Sequence, residues 1–131
     1  MKKINEYIVG SIENEQLMLE MAQIGPLDSK LIIYIRSNDP GSIPHFHIVD
    51  KQTLGNNFHT CVEIKTNKYF HHTGKEDILN SKQRKNLNDF FKKDFNSKLT
   101  NWEFCIITWN ANNSKMNIPE DQAQPDYTEI F

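Results

Sequence analysis

The segment Pro44-His45-Phe46-His47-Ile48-Val49 is followed, after the turn-rich stretch Thr53-Leu54-Gly55-Asn56-Asn57, by His59-Thr60-Cys61-Val62-Glu63-Ile64-Lys65. Both segments alternate with period two, the mark of strands buried on one face. Paired as an antiparallel hairpin with Phe46 opposite Ile64 and Ile48 opposite Val62, they put four apolar side chains on one face. The same register sets His47 opposite Glu63, Val49 opposite Cys61 and His45 opposite Lys65. It turns the imidazoles towards solvent, as in any sheet covered on one side only. A slip of one residue would mix the apolar and polar sets, so the alternation selects the faces.

Outward from this hairpin, Leu31-Ile32-Ile33-Tyr34-Ile35-Arg36 is rich in β-branched and aromatic residues. It is bounded by Asp28-Ser29 and Asn38-Asp39-Pro40-Gly41, and it predicts a third strand. Upstream, Ile4, Tyr7, Ile8 and Val9 fit a short docked segment of either helix or strand. From Ser11 as N-cap, Leu17, Met18, Met21 and Ile24 recur at helical spacing and predict a helix over 12–24 that stops at Gly25-Pro26. Downstream, Ser81 opens a helix over 82–95 with a stripe of Leu87, Phe90, Phe91 and Phe95. Thr100 and Glu103 match a capping box, and Trp102, Cys105, Ile106 and Trp109 follow at i, i+3, i+4 and i+7, predicting a helix over 101–110. The block Cys105-Ile106-Ile107-Thr108 also suits a strand. The expected fold is therefore one α+β domain over 1–115, a small antiparallel sheet of about three strands with helices packed on one face. An acidic irregular tail over 116–131 follows, with Ile118, Tyr127 or Phe131 as its anchors.

Composition is consistent with a small aromatic core. Leu, Ile, Val and Phe supply 34 of 131 residues, above the roughly one-fifth below which disorder becomes the better expectation. Fifteen Lys and Arg against seventeen Asp and Glu leave a formal net charge of −2. No apolar run approaches the ~18 residues that span a bilayer, and Met1-Lys2-Lys3-Ile4 leads into polar residues rather than a signal-peptide core. A soluble, cytoplasmic protein is the expectation. Cys61 and Cys105 lie 44 positions apart without a Cys-x-x-Cys, which excludes a disulfide framework or a zinc ribbon and reads as two reduced core thiols.

The candidate chemistry centres on His45 and His47. Imidazoles at i and i+2 of a strand point the same way and can share one metal, such as zinc, with His59 and Glu63, or Cys61, supplying further donors from the neighbouring strand. Lys51 and Lys65 on the same face would oppose a cation. His-x-His followed by Asp50 is similar to the cupin metal motif, but no second cupin motif follows. His71-His72-Thr73 lacks the paired spacing of His-x-Thr phosphodiesterases. There is no phosphate-binding glycine loop and no Gly-x-Ser-x-Gly, so nucleotide-binding and serine-hydrolase folds are disfavoured.

A second feature is charge. Residues 82–98 hold six basic and two acidic side chains. Lys82, Arg84, Lys85, Lys92 and Lys93 are thus candidate phosphate contacts, with Tyr69, Phe70 or His71 as base-stacking partners. A solvated helix face explains the same run, and a pI near 6.2 is far from that of a dedicated nucleic-acid domain.

Residues 31–63, and Pro44, His45, Phe46 and His47 in particular, resemble a family of small bacterial domains of unknown function built around a Pro-His-Phe-His-Val type core. Some of that family are encoded in toxin–antitoxin-like gene pairs. The resemblance implies the fold and a bacterial or phage origin, and it brings no catalytic residues with it. Two functions compete at this level. One is a non-catalytic binding module, regulatory or defence-associated, with a protein or nucleic-acid partner, no membrane and no cofactor. The other is a metal-binding protein or metal-dependent hydrolase that uses His45 and His47, with His59 and Glu63 as ligands or Glu63 as base.

Overall fold

The computed structural model describes residues 21–37, 43–70 and 74–131. Four strands, β1 (Met21–Pro26), β2 (Leu31–Arg36), β3 (His45–Asp50) and β4 (His59–Glu63), precede two helices, α1 (Ser81–Lys92) and α2 (Asn101–Asn112). The strands form one antiparallel sheet in the order β1-β2-β3-β4. The α+β class holds, with four strands instead of three.

The additional strand corrects the expected first helix, whose last turn (Met21 to Ile24) is extended; the rest of that helix lies outside the described residues. The misread signal is Gly25-Pro26. Gly25 does not cap a helix but sits at a bulge between Gln23 and Gly25, where the ring of Phe90 on α1 comes so close that a Cβ would lie 2.7 Å from Phe90 Cζ. A strand glycine at a close approach looks, in sequence, like a helix stop.

The α1 and α2 layer covers one sheet face. Leu31, Ile33 and Ile35 of β2, Phe46 and Ile48 of β3, and Val62 with Ile64 meet Leu87 and Phe91 of α1 and Trp102, Cys105, Ile106 and Trp109 of α2. Phe46 presents its ring edge-on to Phe91 and to Tyr127, at 5.2 and 5.8 Å between centroids. Helix α1 starts from Asn80, which with Gln83 forms the capping box. It ends at Lys92 rather than 95, because Lys93 is extended and the Asn101 side chain takes the carbonyl of Phe90. Phe95 consequently leaves the buried stripe, stays 45 % exposed and stacks flat on Phe104. Helix α2 begins with the expected Thr100–Glu103 box.

Residues 116–131 carry no helix or strand yet close the core. Tyr127 is fully buried and donates its hydroxyl to the Ile64 carbonyl at 2.6 Å, and burial holds its phenol far above the ordinary range. Asparagines bind this irregular backbone to the helices: Asn110 exchanges two hydrogen bonds with Ile118, and Asn88 accepts from the Tyr127 amide. Side-chain amides thus replace a regular ladder, which gives several of the fifteen asparagines a structural use.

The β3–β4 register is Phe46 opposite Val62, His47 opposite Cys61, Ile48 opposite Thr60 and Val49 opposite His59. It differs by two residues from the apolar match expected from sequence, so every side chain keeps its face while every cross-strand partner changes. The connection sets it. Asp50 accepts hydrogen bonds from the Thr53 amide (2.7 Å) and hydroxyl (2.6 Å) and from the amides of Gly55, Asn57 and Phe58. Leu54 and Gly55 adopt positive φ (55° and 117°) inside that wrap. Thr60 lies opposite Ile48 on the apolar face, where its Oγ1 is buried with no hydrogen-bond partner among the described residues.

Two outcomes follow. Thr60→Val raises stability by about 1 kcal/mol in denaturant unfolding, because it removes a desolvated hydroxyl without opening a cavity; destabilisation would contradict the geometry. Burial pushes the Asp50 carboxyl up, but its hydrogen bonds from Thr53, Gly55 and Phe58 outweigh that and hold it below the ordinary value. On acidification the unfolded chain therefore takes up this proton first. The stability from Asp50 is present above about pH 4 and is lost as pH falls through its lowered folded value. Asp50→Asn costs about 1.5–3 kcal/mol at neutral pH and flattens the acid limb of the stability profile; an unchanged limb would remove Asp50 as the organiser of the turn.

Candidate metal centre

The other face of the sheet carries the histidines, with the His45 ring at its edge also 5.6 Å from that of Trp109 on α2. The i, i+2 spacing on β3 sends His45 and His47 to this face, and the same spacing on β4 sends His59 and Cys61 there. Registers across the sheet align Gln23, Tyr34, His47 and Cys61 in one cross-strand row. The expectation of a solvated histidine face is corrected here: His45, His47 and Cys61 retain 0, 2 and 0 % of their exposure. Tyr34 stacks on His47 at 4.7 Å, Phe70 stacks on His45 at 4.3 Å, and Met21, Ile32 and Val49 continue the apolar surround.

Within this pocket three side-chain atoms converge. His47 Nδ1 lies 3.1 Å from His59 Nε2 and 3.2 Å from Cys61 Sγ, and those two are 3.4 Å apart. The His47 and His59 rings are parallel within 4°. His45 also belongs to the group, since His45, His47 and Cys61 each offer a ligand atom within 4.8 Å of the others. His45 Nδ1 is 2.8 Å from the Ile43 carbonyl, which can only accept, so this nitrogen carries a proton and donates it there. His59 is half-buried, and desolvation lowers its pKa against the opposing pull of Glu76 and Asp77, favouring the neutral, ligand-competent ring.

His47 Nδ1 has one in-plane lone pair or one N–H, and both His59 and Cys61 press on it. A single cation satisfies all three at once. Tetrahedral zinc, with nitrogen at about 2.0–2.1 Å and sulfur at about 2.3 Å, separates its donors by about 3.3–3.6 Å, close to the spacings found.

Of the expected ligands, His45 and His47 come together with Cys61, and His59 meets His47 and Cys61, whereas Glu63 does not join the convergent group. It pairs with His45 along the backbone, but its carboxylate accepts from the Thr66 hydroxyl at 2.7 Å, within the turn that follows β4. Cys61 takes its place, and the two-residue difference in register is the reason: His47 faces Cys61, not Glu63. The signal available in sequence was His59-x-Cys61, a strand pair of donors repeating the spacing of His45-x-His47. Cys105, by contrast, is buried in the apolar layer, and burial alone drives its thiol strongly upward, as for an inert core cysteine.

The basic residues sit on and just after α1. Lys82, Lys85, Lys92 and Lys93 are exposed, with Lys85 paired to Asp89 at 3.0 Å. Arg84 is committed to the Leu79 and Thr128 carbonyls and the Ser81 hydroxyl, so it ties the C-terminal segment to α1. Tyr69 accepts from the Leu79 amide and packs against the core, and Phe70 stacks on His45; His71 lies outside the described residues. A cleft of about 510 Å³ bordered by Asp28, Lys30, Asp50, Lys51, Phe58 and Gln83 contains none of the histidines, and its two carboxylates are engaged by backbone amides. None of the described helices is long and apolar enough to cross a membrane. Comparison with protein-family models, with curated proteins and with solved structures returns no match, so the reading of the site rests on its own geometry.

Proposed function

We propose that this protein binds a divalent transition metal of the zinc class through His47, His59 and Cys61. The observation that carries the reading is the mutual approach of their three donor atoms to 3.1, 3.2 and 3.4 Å on a buried sheet face. Imidazole nitrogen and thiolate sulfur are the donors zinc favours, and a hard cation such as magnesium or calcium would require oxygen ligands. No carboxylate joins the convergent group among the described residues. Metal binding is the function favoured over hydrolysis.

Titration of the reduced, full-length protein with zinc against a chromophoric chelator tests this. One zinc binds per chain, and zinc at a hundredfold excess over its dissociation constant adds about 2.7 kcal/mol of stability. Cys61→Ser and His47→Ala each weaken binding by at least about tenfold, and Glu63→Gln leaves it unchanged. Equal zinc affinity in wild type and Cys61→Ser, or strong dependence on Glu63, would overturn the assignment.

A further inference from the structure

Resting on that metal-binding reading, we infer that His45 is a fourth ligand, so that the metal is enclosed by three imidazoles and one thiolate with no position left for water or substrate. The centre is then a structural clamp between β3 and β4 rather than a catalytic one.

Three observations carry this. His45 has its Nδ1 proton held by the Ile43 carbonyl, the arrangement by which a metal-binding histidine is fixed in tautomer and ring orientation while its other nitrogen faces the metal. Its ligand atom lies within 4.8 Å of those of both His47 and Cys61, and its ring centroid is 5.0 Å from that of His47. Phe70 lies flat against His45 and Tyr34 flat against His47, and both imidazoles are buried. Closed four-donor sites of nitrogen and sulfur are structural sites, whereas catalytic zinc keeps three protein ligands and one open position.

The enclosed set also defines the metal. One thiolate against a divalent ion leaves a net positive centre in a desolvated pocket, and Glu76 and Asp77 lie close enough to act electrostatically on His59. Tetrahedral geometry with sulfur selects zinc or cobalt(II) over ions that demand six oxygen ligands.

Cobalt(II) substitution separates the possibilities, because its spectrum reports both sulfur ligation and coordination number. The full-length reduced protein is titrated with cobalt(II) alone and then challenged with azide, a small anion that enters an open position. The expected result is a thiolate-to-cobalt charge-transfer band together with intense visible bands of four-coordinate cobalt, unmoved by azide. His45→Ala, and His45→Gln as a second variant checked for folding by circular dichroism, should keep the charge-transfer band, bind at least about tenfold more weakly and become azide-responsive. If wild-type visible bands shift with azide, or if His45→Gln binds as tightly as wild type, the closed site is refuted while metal binding through His47, His59 and Cys61 stands. Absence of the charge-transfer band at saturating cobalt would refute both.

Discussion

The Asp50 carboxylate gathers hydrogen bonds from Thr53, Gly55, Asn57 and Phe58, and this wrap decides which residue of β4 meets which residue of β3. Alternating hydrophobicity cannot make that choice, because a shift of two residues leaves every side chain on its own face. The turn can, since it fixes how many residues are spent before β4 begins. Its choice sets Thr60 opposite Ile48 and brings Cys61 level with His47. A local charge-assisted network thus overrides a better apolar match and, in doing so, assembles the donor cluster.

Both sheet faces are buried, by different means. The helical face is apolar and aromatic, closed by Tyr127 from the irregular C-terminal segment and held by asparagine amides. The opposite face mixes Met21, Ile32, Tyr34 and Val49 with imidazoles and a thiol. His47, His59 and Cys61 approach one another to within 3.4 Å there, and in the proposed reading one cation is shared by all three. On this account the metal completes the packing of the second face, as the aromatic cluster completes the first.

Much of the framework was legible in the sequence. The strands at Leu31–Arg36, His45–Asp50 and His59–Glu63 follow from period-two alternation and β-branched content, and the Thr100–Glu103 box marks the start of α2. Three features were not. Met21–Pro26 carries helix-like spacing and a Gly-Pro stop, and only the packing of Phe90 against Gly25 reveals a strand there. Phe95 fits the apolar stripe of α1, yet the helix ends before reaching it because Asn101 binds the last turn. Cys61 was offered by the sequence beside Glu63, but the choice between them required the register, which depends on side-chain hydrogen bonds from a turn whose residues only signal that a turn exists.

The pairing of β3 with β4 is therefore the point on which both the fold and the proposed metal centre stand. Cross-strand nuclear Overhauser contacts in the labelled protein measure it directly, since facing residues of an antiparallel pair bring their α-carbons within about 4.5–5.5 Å. Residue 47 should connect to residue 61 and residue 49 to residue 59. Connections from 47 to 63 and from 49 to 61 would contradict the account, because His47 would then face Glu63 and the thiol would leave the histidine cluster.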